Sequence, residues 1–438
     1  MIHNTIKLSF VAFLFPGMLY AQNIKKLSLQ EAIELGITNS KNLKLSQSKI
    51  DEAVAKLESV KDNALPTATT SFLYSHAEIP TNKLSLGSAD PIHLPNRADA
   101  FVGTAAVEQI VYGGGKLKYA EASTKLLTDV ARLDADKNRE EVSYAVINTY
   151  YSLFKVLQSK KVVAQNLESI AGQLKQSQRF FEQGIVTKND VLRFQLQQAN
   201  VSLTEMEIEN NRKVINYNLD ILLGLDEATD IEIADPDNAL KTVSPLSSYM
   251  DLALSNRQEL KQVDLQNKVA DINIKSIQAS TMPTVGVGAN LYYINPSGKF
   301  IPPTNQYIVP MTLGANISWN IGSLWTTKNK VTEARIQQKN VDIQKGILSD
   351  QVKTEINKNY QDYQLTLSKI KVLETSIAQA TENDNLLASK YKNNVASAID
   401  RIDAETLLYQ AKINLELAKA DAGLAYYTLL KSTGKISQ

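Results

Sequence analysis

Cysteine is missing from all 438 residues. That excludes disulfides, thiolate metal sites, a cysteine nucleophile and a lipid-modified N-terminal cysteine. Histidine is nearly missing too: His3, His76 and His93 are the whole set. The first lies in an N-terminal apolar segment and the other two in one polar loop. Neither loop histidine has a carboxylate or third histidine at ligand spacing, so solvated loop residues explain them better than a metal site. Charge of one sign is lacking, with Lys plus Arg at 47 and Asp plus Glu at 46, so no excess charge points to nucleic acid. Long hydrophobic runs are lacking, and the mean hydropathy of −0.21 excludes a bundle of membrane helices. Catalytic signatures are absent as well: no Gly-x-Ser-x-Gly, His-Glu-x-x-His, P-loop or Rossmann fingerprint. Gly113-Gly114-Gly115-Lys116 lacks the Walker spacing and the following Ser or Thr, and reads as a strand-to-helix turn. No cofactor and no enzymatic activity are expected.

What is present is a pattern that occurs twice. Leu35, Asn39, Leu43, Pro66 and Thr67 recur 217 positions later as Leu252, Asn256, Leu260, Pro283 and Thr284. Beyond a mid-repeat loop the offset becomes 210: Tyr150, Asp190, Leu219 and Gly224 return as Tyr360, Asp400, Leu429 and Gly434. The division is a secretory signal over 1–21, a first copy over 22–224, a linker over 225–248, a second copy over 249–434 and a tail over 435–438. The signal has Lys7 before an apolar stretch from Leu8 to Tyr20, too short and too interrupted by Pro16 to span a membrane.

Each copy changes period in its middle. In copy one the spacing predicts a helix over 29–64, strands over 66–75 and 99–111 around a polar loop, a long helix from 116 to about 182, a break and a helix over 188–223. Ser28 and Glu31 form a candidate capping box at the start. Copy two repeats the order: helix 249–281, strand 283–293, a loop with Pro296, Pro302 and Pro303, strand 308–321, helix 323–392, a break and helix 397–432. Asp235-Pro236 and Pro245 lie in the linker. At 1.5 Å per residue, each long helix extends roughly 100 Å, and the two shorter helices of each copy together match it. Such lengths suit a conduit or spacer better than an enzyme.

Val285, Val287, Ala289, Leu291 and Tyr293 alternate with polar or glycine positions. So do Met311, Leu313, Ala315, Ile317, Trp319 and Ile321. About ten alternating residues is the length of a membrane-spanning strand. Trp319, Trp325, Tyr292 and Tyr293 fall near strand ends, where an aromatic girdle would meet lipid. The same alternation also fits a half-buried strand pair of a soluble sheet. If the strands cross a membrane, four per chain cannot close a barrel and an open edge is not tolerated in lipid. The barrel would then be shared between chains.

The breaks read Arg179-Phe-Phe-Glu-Gln-Gly-Ile-Val-Thr-Lys-Asn-Asp190 and Lys390-Tyr-Lys-Asn-Asn-Val-Ala-Ser-Ala-Ile-Asp400. Thr187 with Asp190, and Ser397 with Asp400, have capping-box spacing, so helix initiation accounts for both. It leaves unexplained Asp403, one turn beyond Asp400 on the same face.

With tandem copies, helix–Pro-Thr–strand junctions, the aromatic-Gly-Gly turn at 112–114 and the paired breaks in this order, the chain resembles the TolC-like outer-membrane efflux protein family over about residues 27–434. The resemblance implies a mainly α fold with a membrane β-barrel portion. A homotrimer would give four strands per chain to a 12-stranded barrel, above a periplasmic tunnel of long α-helical hairpins. It implies a passive exit duct in the outer membrane of a Gram-negative bacterium, for efflux or type I secretion. The implied partners are a periplasmic adaptor (membrane fusion) protein and an inner-membrane transporter, with no nucleic acid. By residue, it implies that Asp400 and Asp403 form acidic rings at the periplasmic entrance, and that Asp190 and Tyr391 link neighbouring coils to hold the entrance closed. Gly184, Ile185, Val186, Asn394 and Val395 would be adaptor-docking tips. Departures are Asn394 in place of a second tip glycine, Ala396 in place of an entrance arginine, and Ile321-Gly322-Ser323 in place of the second Gly-Gly turn. A periplasmic coiled-coil scaffold that spans no membrane is the alternative.

Overall fold

The computed structural model describes residues 24–436, apart from 79, 82, 95, 228, 235–242 and 296–306. The expected signal segment 1–21, Asp235-Pro236 and the prolines at 296, 302 and 303 lie outside the described residues.

Copy one runs β1 (Ile24–Leu27), α1 (Leu29–Asn39), α2 (Lys41–Asp62), β2 (Thr67–Glu78), a small hairpin of β3 (Lys83–Leu84) and β4 (Ile92–His93), β5 (Arg97–Tyr112), α3 (Lys116–Glu182) and α4 (Lys188–Leu223). After β6 (Asp230–Ile233), copy two runs α5 (Leu246–Asn256), α6 (Gln258–Ala279), β7 (Thr284–Asn295), β8 (Met311–Ser318), α7 (Ser323–Lys392) and α8 (Ala398–Ser432). Both copies run through helices, two sheet strands, a long helix and a shorter helix in the same order. Helices α3 and α7, of 67 and 70 residues, are unbroken.

Four expectations change. The helices expected over 29–64 and 249–281 are each split. Ser40 and Arg257 leave the helical region, with ψ of 119° and 122°. The preceding asparagines stabilise those ends: Asn39 Nδ2 donates to Leu223 O at 2.7 Å and Asn256 Nδ2 to Leu252 O at 2.7 Å. The strand expected over 308–321 is shorter, beginning after Pro310, which has no N–H for the ladder. The copy-one strands run longer than expected, and the loop between them contains the β3–β4 hairpin. Finally, β1 and β6 pair in parallel, so the linker carries structure.

The chain forms two compact units. One comprises residues up to Ser40, Val142–Thr242 and Asp362–Thr428. Its buried side chains include Val146, Ile147, Tyr150, Tyr151 and Leu153 of α3 and Leu219 and Leu223 of α4. Tyr150 Oη donates to the carbonyls of Leu27 and Ala234 at 3.0 and 2.8 Å, tying β1 and β6 to the long helix. Gly423 permits close packing there: a Cβ would stand 2.5 Å from the Tyr151 ring.

The other unit comprises Lys41–Glu141, Val243–Gln361 and residues from Leu429 onward. It contains the antiparallel sheet β2-β5-β7-β8 and helical segments buried around Leu260, Val263, Ile274 and Ile356. Arg257, at the α5–α6 break, donates to Ser432 O at 3.3 Å and pairs with Glu355 at 3.1 Å.

Candidate functional site: the helix breaks and the four-stranded sheet

Both breaks have the same local construction. At the end of α3, Ile185 N–H donates to Phe180 O at 2.8 Å and Gly184 N–H to Phe181 O at 2.9 Å, with Gly184 at φ 71°. At the end of α7, Val395 N–H donates to Lys390 O at 2.8 Å and Asn394 N–H to Tyr391 O at 3.0 Å, with Asn394 at φ 60°. This is the Schellman pattern, whose left-handed residue is glycine or asparagine. Asn394 therefore performs the same turn as Gly184. Ile185 and Val395 stand exposed beside these turns, and Val186 is half-buried.

The next helices start on capping boxes. Thr187 Oγ1 donates to Asp190 Oδ2 at 2.7 Å, and Ser397 Oγ donates to Asp400 Oδ2 at 2.7 Å. The N–H of Asp400 donates back to Ser397 Oγ at 3.2 Å. The Ser397 hydroxyl and N–H hold the exposed Asp400 carboxyl below its usual range. Asp403, one turn on, is exposed as well.

Tyr391 is buried against Phe194 (5.8 Å between ring centroids) and Phe180 (6.1 Å), with Ala398 alongside. Its Oη has no hydrogen-bond partner, so it is not hydrogen-bonded to Asp190, whose Oδ2 is engaged by Thr187. Burial raises the Tyr391 pKa, opposed by the nearby Ser177 hydroxyl and assisted by the charge of Asp190.

A polar group that the sequence reading missed lies just beyond the second break. Arg401 is paired with Asp384, both largely buried. One turn on, Glu405 is 7% exposed and accepts from Gln173 Nε2 of α3 at 2.5 Å. Burial pushes the Glu405 carboxyl up, against the pull of Ser169, Arg401 and Gln173. A cavity of about 160 Å³, lined by Asn166, Ser169, Asp384, Glu405 and Lys412, lies beside it. Nearby on α3, Gln173 Oε1 and Ser177 Oγ are buried without partners.

The sheet has two unlike faces. Ladder partners point to the same side, and successive residues to opposite sides. The register aligns Thr70, Ala105, Leu291 and Met311 in one row, and Ala68, Val107, Ala289 and Leu313 in the next. Phe72, Tyr74, Phe101, Val287, Tyr293 and Ile317 share that face. The apolar alternation is thus common to both copies, although copy one shows it poorly in sequence. The opposite face carries Thr69, Ser71, Thr104, Asn290, Thr312, Asn316 and Ser318.

From Val285 to Asn295 is about 34 Å along the strand, or about 26 Å of depth at a tilt of about 40°, close to the apolar band of an outer-membrane barrel. Aromatics gather at its two ends. Tyr74 and Phe101 are 4.9 Å apart, and Tyr293 stacks on Tyr307 at 4.5 Å. At the other end, Trp319 Nε1 donates to Thr281 O at 2.9 Å and Trp325 is 68% exposed in the first turn of α7. Tyr292 is a correction to the interfacial set: it pairs with Thr104 on the polar face, because adjacent residues of a strand cannot share a side. Among the described residues, no helix is long and apolar enough to cross a membrane.

Comparison with known proteins agrees with this geometry. Residues 249–435 match the family described as Outer membrane efflux protein. The alkaline protease secretion protein AprF of Pseudomonas aeruginosa is 24% identical over 361 residues, 78% of this chain and 71% of AprF. The outer membrane efflux protein BepC of Brucella suis is 18% identical, over 76% of this chain and 73% of its own. The outer membrane protein VceC of Vibrio cholerae superposes with a TM-score of 0.76 at 16% identity, covering 93% of this chain and 97% of VceC. The second copy thus matches the outer membrane efflux protein family, and the fold across both copies is that of solved outer-membrane channel proteins.

Proposed function

We propose that the chain is a passive outer-membrane exit duct for efflux or type I secretion, acting as a homotrimer with a periplasmic adaptor and an inner-membrane transporter. Residues 1–21 direct its export. The observation that carries this reading is the sheet, with one apolar face and, among the described residues, no partner strand outside β2 or β8. Open edges are not tolerated in lipid, and four strands cannot close. Three chains give twelve strands and no edge. A periplasmic scaffold that never meets lipid leaves the exposed row of Phe72, Met311, Leu313 and Ile317 unexplained.

A second apolar surface fits the same assembly. On α4, Leu192, Leu196, Leu203 and Met206 are 50–66% exposed and follow 3–4–7 spacing, the seam of a coiled coil awaiting another helix. Native mass measurement in detergent should show three chains. Leu196→Glu with Leu203→Glu should shift the population to monomers, whereas a stable, soluble parent monomer would overturn the assembly.

The exposed Asp400 and Asp403 are the entrance carboxylates in this reading, and the exposed residues at both breaks are the adaptor's docking points. Six carboxylates converging on one axis attract multivalent cations. Asp400→Ala with Asp403→Ala should leave the trimer folded and weaken cobalt hexammine block in planar bilayers by about tenfold or more. If the capping box were the whole role, Asp400→Ala would cost about 1 kcal/mol of helix stability, and block would stay at the parent's level.

A further inference from the structure

The polar face of the sheet is almost free of charge. Its described positions are Thr, Ser, Asn and Gly interspersed with Tyr292 and uncharged apolar residues such as Leu73, Val102, Ile110 and Ile294, with one carboxylate, Glu108 of β5. Every other charged side chain of the four strands falls on the opposite face, at its rim. There Glu78 pairs with Arg97, and Asp99 accepts from Tyr74 Oη at 3.0 Å and contacts His76 at 2.7 Å. Those rim groups neutralise one another. Glu108 is exposed, and its row of the ladder reads Thr67, Glu108, Gly288, Gly314. Two of its row neighbours thus have no side chain to cover it, and a Cβ added at Gly314 would meet nothing within 4 Å.

We infer that Glu108 forms a cation-selecting ring in the wall of the barrel, one carboxylate from each of three chains, separate from the entrance aspartates. The inference rests on the trimeric-barrel reading, in which the polar face lines the lumen. Twelve strands about 4.8 Å apart and tilted by about 40° close on a radius of about 12 Å. A glutamate side chain reaching inward brings each carboxylate to about 7 Å from the axis. That distance is well inside the Debye length of about 30 Å at 0.01 M salt and similar to the length of about 8 Å at 0.15 M. Coulomb energies of three such charges in water give about tenfold enrichment of a monovalent cation on the axis at 0.01 M, and about threefold at 0.15 M. With no fixed cation on the same face of the sheet, nothing there offsets the ring. The ring would favour organic or inorganic cations and retard anions after they have passed the entrance.

The test has two arms, both aided by a native cysteine count of zero. In the first, a charged, water-soluble methanethiosulfonate is applied to cells bearing Glu108→Cys or Val107→Cys. The reagent should modify the first and spare the second, whose side chain faces lipid. In the second, reversal potentials are measured at about 10 mM KCl in the Asp400→Ala, Asp403→Ala background, which removes the entrance carboxylates. Glu108→Gln should lower the potassium-to-chloride ratio at least severalfold and Glu108→Lys should invert it, with both effects shrinking in 1 M salt. Equal labelling of both cysteines would overturn the barrel wall and the ring together. Asymmetric labelling with an unchanged ion ratio would overturn the ring alone.

Discussion

Replacing Arg401 with methionine should loosen the second helix break by about 3–5 kcal/mol, the usual cost of removing one partner from a buried ion pair. Arg401 is 7% exposed, and its removal leaves the largely buried Asp384 and the buried Glu405 without their cation. Exchange of the amides around 384–405 in the detergent-solubilised protein should accelerate by two orders of magnitude or more at neutral pH. The penalty should shrink in acid. Glu405 already has a raised pKa, and Arg401 is among the groups that hold it down. Without Arg401 the folded pKa rises further, so stability present below that pKa is lost as pH climbs through it. Arg401→Met combined with Asp384→Leu removes both charges of the pair and should recover the part of the loss that Asp384 carries, since apolar replacement of a whole buried pair is often neutral, while Glu405 keeps the rest and its pH dependence. A single variant that exchanges like the parent would show that the pair contributes nothing at the break.

Much of this architecture was legible because it is duplicated. A feature weak in one copy is supported by its counterpart, as with the turns at Gly184 and Asn394. The sheet was half legible. In β7 and β8, Gly, Asn and Thr alternate with Val, Leu and Ile, whereas in β2 and β5, Ala and Thr stand on both faces, and only the register separates them. The placement of Tyr292 beside Tyr293 broke a rule visible in the sequence, since neighbours along a strand face opposite ways. Four-residue β1 and β6 are too short to show a period. The splits at Ser40 and Arg257 contain neither Pro nor Gly. The Asp384–Arg401–Glu405–Gln173 group joins residues up to 232 positions apart, so no local pattern could assemble it. The one available hint was on α3, where Ser169, Gln173 and Ser177 put polar atoms on a single helical face at spacing four. The docking residues and entrance aspartates were named by resemblance. The capping boxes expected at Thr187–Asp190 and Ser397–Asp400 are formed, so substitution of either aspartate has a folding cost that any gating measurement must separate.

Asp220→Asn should stabilise the unit that contains it at neutral pH and remove a pH dependence centred near 6. Asp220, on α4, is fully buried, and its Oδ2 accepts from Asn216 Nδ2 at 2.9 Å while Oδ1 has no partner. Burial first, then the charges of Asp230 and Asp226, push its pKa from 3.8 up to about 6. The folded protein therefore binds this proton more tightly than the unfolded chain. The resulting stability is complete below about pH 4 and is lost as pH rises through about 6. A shift of about two units corresponds to about 3 kcal/mol at neutral pH. Asparagine carries no charge and can keep an acceptor towards Asn216, but its amide would occupy the place where Oδ1 has no partner. That orphan costs about 1–2 kcal/mol, leaving a net gain of about 1–2 kcal/mol. The Ile231 amide, which donates to Asn216 Oδ1 at 3.0 Å, provides a local probe. Its hydrogen exchange in parent and variant, compared at the same pH, should cross between pH 4 and 7, with the variant faster near pH 4, where the parent carboxyl is protonated, and slower at pH 7 and above. A constant difference across that range would mean that Asp220 does not titrate there, and faster exchange in the variant at pH 7 would mean that its charge stabilises the α4–β6 junction.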